Sequence, residues 1–280
     1  MSTMPGRRSS RSARRSTANR INASDSPTKW VGCDHAVMHP HEIMRATEAI
    51  GPIGAAFYFH PDTTERGKQA GLDGFRMYFL GRGGVLGDVE PEVVLSAWGY
   101  FNPGLITKMW NTAKQLMAPR DCARLYIDCA HQLGRKMFSE LDGLDGFVDA
   151  ATQVIGGAEA TSMALFAAVR AEPVPTDVPA AAMHQAMVLR EMRGSTHLLA
   201  IVAVGLSTPV AHAIKRPGDV QTFGWAEGEI AEPTDEDRAK WDRAEALTDE
   251  LLRPAYAALN DVQATALIAG TIAMAGALGV

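Results

Sequence analysis

Cysteine is scarce in this chain. Three thiols, Cys33, Cys122 and Cys129, in 280 residues are too few and too scattered for a disulfide framework, and they point to a reduced, cytoplasmic compartment. The last two lie seven residues apart, so a helix places them on one face, where thiols pack as small apolar groups. Catalytic motifs are absent as well. There is no Gly-x-Ser-x-Gly elbow and no His-Glu-x-x-His pair, and catalytic residues stay unassigned. Four of the eight histidines, His35, His39, His41 and His60, come early beside Cys33, Asp34 and Glu42. Their spacing fits no closed zinc site, and Pro40 interrupts a two-histidine helical face, so neither a metal nor a cofactor is expected. GRGGVLG at 81–87 misses the phosphate-loop and dinucleotide spacings; it reads as a tight turn with Arg82 free to point into a pocket.

Acidic residues are almost missing from the first thirty positions, which carry seven Arg and Lys against Asp25 alone. That segment is +6 in a chain of −5, which leaves −11 on residues 31–280. An acidic body is a poor partner for a phosphate backbone, so weak or no DNA binding is expected of it, and any nucleic-acid contact falls to the Arg-rich tail. Residues 1–37 read as a disordered Arg/Ser-rich tail without a secretory signal. Their composition overlaps that of a transit peptide or a nucleic-acid-binding arm, and Met38 offers an alternative start. Charge is also absent from Ala264 to Val280. The simpler reading is an apolar C-terminal helix packed on the body or on a second copy in a homodimer. The alternative is a membrane anchor at the lower limit of spanning length.

No sustained β-pattern interrupts the helical periodicity, so the fold class expected is all-α, a multi-helix bundle in two helical halves. These are residues 38–170 and 180–260, parted by the proline-rich AEPVPTDVP at 171–179, with 261–280 as the apolar C-terminal helix. Helices are predicted from Pro40 to about Ile50, ended by Gly51-Pro52, and over Arg120–Glu140. A third, over Thr234–Leu259, puts Trp241, Ala244, Thr248, Leu251 and Ala255 on one seam. Arg216–Pro233 reads as irregular.

The densest chemistry lies in LREMRGSTHLLAIVAVGL at 189–206, where Arg190, Glu191, Arg193 and His197 precede a run apolar enough to be buried. In an unbroken helix Arg190, Arg193 and His197 align within about 60° of one face. Two guanidiniums and an imidazole suit a small anionic ligand. The simpler reading is an Arg–Glu lock between helices with His197 as a core histidine, and Gly194-Ser195 offers a break in the helix. His197–Arg216 has the rhythm of a helix-turn-helix. Its second helix offers only Thr208, His212, Lys215 and Arg216, few groups for reading base edges.

Several phrases, in order, carry a resemblance: RATEAIGPIGAAFYFHPD at 45–62, GLDGFRMYFLGRGGVLG at 71–87, YFNP at 100–103, the 189–206 run, Gly224-Trp225, and PTDEDRAKWDRAEALTDELLRPAYAAL at 233–259. Over residues 42–260 the chain resembles an actinobacterial helix-turn-helix, or winged-helix, protein family. Arg82, Arg190, Glu191, Arg193, His197 and His212 match that pattern. The family's Glu-Pro-x-His is replaced by Gly51-Pro52-Ile53-Gly54, and a family histidine by Met192. Only AEGEIAE (226–232) separates Trp225 from the closing helix, too short for a recognition helix and turn, so the resemblance implies a degenerate or truncated winged-helix part. It implies a small-molecule-binding relative of winged-helix regulators, with Arg82, Tyr78, Arg190, Glu191, Arg193 and His197 as ligand-binding residues. The alternative is a helical enzyme acting on a small anionic substrate, with His197 as general base.

Overall fold

Proline punctuates the chain. The computed structural model describes residues 38–280; the expectations for the Arg-rich tail, Cys33 and His35 lie outside those residues. Of the thirteen α-helices described, seven carry a proline at their first or second position, where the missing N–H costs nothing. They are α1 (Pro40–Ala46), α3 (Pro61–Gln69), α5 (Pro91–Trp98), α6 (Pro103–Lys114), α7 (Pro119–Phe138), α10 (Val178–Ala203) and α11 (Thr208–Lys215). Interleaved with them are α2 (Ile50–Ala55), α4 (Gly74–Gly83), α8 (Leu144–Gly157), α9 (Ala164–Arg170), α12 (Asp235–Tyr256) and α13 (Asp261–Leu278). Side-chain caps precede many of these starts. Asp73, Asn102, Asp177, Ser207 and Thr234 each accept a first-turn N–H. No strand occurs among the described residues, so the chain is all-α.

The 26-residue α10 is the axis of the molecule. Every residue from Ala180 to Leu189 is buried, as expected of a stretch that is apolar nearly all round. It packs on α2, α7, α8, α9 and α12. One core runs from Ile43 through Trp110, Tyr126 and Phe147 to Met192 and Met274, crossing the proline-rich stretch at 171–179. That stretch is a connection between α9 and α10, with Asp177 capping α10 and paired to Arg135 of α7. Residues 38–280 therefore form one compact unit. A smaller cluster of Ala200, Ile201, Leu206, Ala211 and Ala244 joins the end of α10 to α11 and α12.

Four local expectations change. Gly51-Pro52 does not end a helix; it sits in the first turns of α2, after α1 has stopped at Ala46. Gly194-Ser195 does not break α10, which runs on to Ala203. On α12 the buried seam is Ala244, Thr248, Leu252 and Ala255, while Leu251 is exposed. GRGG is mostly helix, not turn. Gly81 and Gly83 end α4, and only Gly84–Leu86 tightens into a 3-10 turn. A Cβ at Gly81 would lie 2.5 Å from the Tyr126 ring, so the missing side chain lets α4 press onto α7. The last helix, α13, is long and apolar enough to cross a membrane by length and composition. In this fold it lies mainly on α8, burying Ala264, Leu267, Gly270, Thr271 and Met274.

Substituting Gly81→Ala should cost about 1–3 kcal/mol, the usual penalty for overpacking a core, as read from urea unfolding. Gly218→Ala, which meets nothing within 4 Å, should stay within about 0.5 kcal/mol of the parent. Equal stability of the two variants would show that the α4–α7 approach is not tight.

Candidate functional site

The structure divides the six expected site residues between two clusters. The first gathers on Glu191, which is 2% exposed. Arg82, brought by the last turn of α4, grips it with both edges: Nε donates to Oε1 at 2.9 Å and Nη2 to Oε2 at 2.7 Å. Arg190 Nη1 donates to Oε1 at 2.8 Å, and the Tyr58 hydroxyl, just past α2, donates to the same oxygen at 2.6 Å. Arg82 Nη1 also donates to the Tyr78 hydroxyl at 3.2 Å. Two cations surround one anion, and the surplus charge rests on ring faces: Arg82 lies 4.5 Å from the Trp98 ring centre and Arg190 lies 4.7 Å from that of Tyr58.

Burial raises the Glu191 carboxyl, but Arg82 and Arg190, with the hydrogen bonds from Arg82 and Tyr58, outweigh it and hold the group at about 2. Tyr58 moves the other way. Burial, more than any neighbour, keeps it a phenol and therefore a donor. Every polar atom of the carboxylate is thus satisfied. The cavity beside it measures about 10 Å³, space for a single water at most. Arg82, expected to point into an open pocket, instead spends its guanidinium on Glu191. This cluster is a lock.

The second cluster lies further along α10, facing α12. Arg193 Nη2 donates to Glu245 Oε2 at 2.7 Å. His197 Nδ1 stands 3.0 Å from Thr248 Oγ1, whose own proton goes to the Ala244 carbonyl at 2.7 Å. The hydroxyl oxygen must therefore accept, which assigns the His197 proton to Nδ1. Nε2 is left as a lone pair without a hydrogen-bond partner, 3.7 Å from Glu245 Oε1. Burial lowers the imidazole to about 4, against the pull of Glu245. The general-base expectation rested on an ordinary value near 6.5; a buried base near 4 is poorly matched to neutral pH. Arg190 does not join Arg193 and His197, because it turns toward Glu191.

Sequence reading missed Tyr58, Trp98, Glu245 and Thr248. The first two lie 133 and 93 positions from Glu191, and no periodicity links them to it. It also missed a cleft of about 300 Å³ between α8, α9 and α10, walled by Thr152, Ile155, Arg170, Val174, His184 and Gln185 among others. His184 contacts His131 there, Nδ1 to Nε2 at 3.0 Å. Of the early histidines, His39 and His60 cap α1 and α3 and His41 pairs with Asp249; no cluster of three metal-ligand side chains forms among the described residues.

Beyond the second cluster, α10 and α11 meet at a 120° bend across the four-residue turn Val204–Ser207. Gly205 takes φ +69° in that turn and Leu206 plugs the small core. Two helices at such an angle, joined by a short Gly-containing turn, form a helix-turn-helix unit. The sequence pattern of a helix-turn-helix family matches residues 43–279, and the chain belongs to that family. No curated protein and no solved structure matches it.

Glu191→Ala should destabilise the protein by about 3–5 kcal/mol, since two guanidiniums lose their counter-charge. The depressed Glu191 value adds about 3 kcal/mol of stability above pH 4.5, lost as pH falls through about 2. Stability should decline earlier, from pH 6.5 toward 4, because His184 and His197 are both held near 4 in the folded chain and the unfolded chain binds those protons first. Urea unfolding across pH for the parent and Glu191→Gln checks both limbs. The variant should lose the lower limb and keep the upper one.

Proposed function

We propose that this helix-turn-helix-family protein is a small-molecule-binding relative of the winged-helix regulators in which the DNA-reading module is reduced. The observation that carries this reading is the surface of α11, the helix in the groove-reading position. It buries Ala211 and His212, and His212 stacks on Phe223 with ring centres 3.9 Å apart. Of the cationic groups that could meet a phosphate or a base edge, only Lys215 and the adjoining Arg216 are exposed. No helix or strand follows between Asp219 and Asp235. Phe223 and Trp225 instead pin that segment to the body, Phe223 stacked on Phe101 at 4.0 Å and Trp225 Nε1 donating to the Tyr100 carbonyl. The acidic balance of residues 31–280 works in the same direction. The ligand half of the reading is supported by the cleft on α8, α9 and α10, because the lock around Glu191 has no room for one.

On mixed-sequence duplex DNA at physiological salt, the full chain should bind through its Arg-rich first thirty residues. Residues 38–280 should bind at least about a hundredfold more weakly, as loss of several phosphate contacts requires. Fluorescence anisotropy measures both. Sequence-selective binding by residues 38–280 would show that α11 still reads DNA. Native mass spectrometry of the purified chain tests the ligand half by the mass of anything retained.

A further inference from the structure

We propose that the cleft between α8, α9 and α10 binds a small monocarboxylate with a short aliphatic body, its carboxylate on Arg170 and its body along Ile155, Val174 and Val188. This deepens the small-molecule reading above and rests on it. Size is the first argument. About 300 Å³ is at the lower end of ligand-site volumes, which suits a molecule of several heavy atoms.

Charge is the second. Arg170 is the one cation in the wall, and among the described residues no carboxylate lies within ion-pair distance of it. It gives Nη1 to the Ala158 carbonyl and rests on Phe166, leaving donors uncommitted. Glu159, the acid that feels its charge, already spends Oε1 on the Ala160 and Thr161 amides and the Thr161 hydroxyl. A single guanidinium matches a monoanion.

The third argument is an unpaired buried group. His184 is 1% exposed, its Nδ1 is taken by His131, and its Nε2 has no partner in the protein. Burial and the neighbouring His131 keep the ring neutral. Beside it Gln185 donates to Thr152 Oγ1, which leaves the amide oxygen as an acceptor. A hydroxyl on the ligand body would donate to that amide oxygen, while His184 Nε2 is enclosed behind the wall.

The test uses the full chain with butyrate and hexanoate as probes and 1-hexanol as the uncharged control, read by isothermal titration. Gly156 lines the cleft and a Cβ there meets nothing within 4 Å, so Gly156→Leu fills the space without straining the fold. Saturable binding of a carboxylate and none of the alcohol is expected. Binding should be lost in Gly156→Leu and weakened about tenfold in Arg170→Gln, with Tm unchanged in both. Carboxylate binding that both variants keep would overturn the site while leaving the small-molecule reading intact. Failure of every carboxylate to bind would overturn the ligand class. Combined with a native mass spectrum showing no retained molecule, it would overturn the reading as well.

Discussion

A carboxylate that is 2% exposed has to be neutralised from within, and the rest of this fold is arranged around doing so for Glu191. Removing two guanidiniums and a carboxylate from water costs several kcal/mol per ion, so such a cluster persists only where geometry satisfies every lone pair. Here Arg82 supplies a bidentate grip on both oxygens, Arg190 and Tyr58 add two further donors on Oε1, and Trp98 and Tyr58 present their faces to the cations. The interaction is stringent rather than strong. It is satisfied at one rotation of α10 relative to α4, and any other rotation strands a buried charge.

From that rotation the rest of α10 follows. Arg193 and His197 come round to face α12, where Glu245 and Thr248 meet them. One turn further, Ala200 and Ile201 join Leu206 and Ala244 in the small core that seats α11. The bend of the helix-turn-helix unit is thus built on a helix whose orientation is fixed two to three turns earlier. The same helix carries His184 and Gln185 two turns before Glu191, so the cleft on α8 and α9 shares this register.

Much of this organisation is legible in the residues. Prolines marked helix starts, as at Pro40 and Pro209, and periodicity gave α7 and α12 nearly to their ends. The lock was legible as a type: charged groups beside an apolar run must pair, and Arg82, Tyr78 and Glu191 do. What could not be read was which charges pair with which. Helical spacing grouped Arg190 with Arg193 and His197, yet a long arginine reaches across its own helix, and Arg190 follows Glu191 and Tyr58. The glycines misled for a related reason. In GRGG and at Gly51-Pro52 they signal a turn when only neighbours in sequence are considered. Gly81 in fact answers to the Tyr126 ring, a partner far along the chain. The cleft was invisible because its wall is made by three helices whose packing no local pattern encodes.

The closure of the lock depends on how closely α2 can approach α10. A Cβ at Gly54 would stand 2.5 Å from the Ala186 carbonyl oxygen and 2.9 Å from Arg190 Cβ. Any larger side chain at Gly54 would therefore have to push α2 away from α10 beside Arg190. With glycine there, α2 seats directly on α10. Met192, on the same helix, is fully buried and adds apolar packing. The close seat of α2 leaves Arg190 beside Glu191, whose carboxylate also takes Arg82 and the Tyr58 hydroxyl. This set of residues is satisfied within itself, and the open polar surface lies in the cleft two turns earlier along α10.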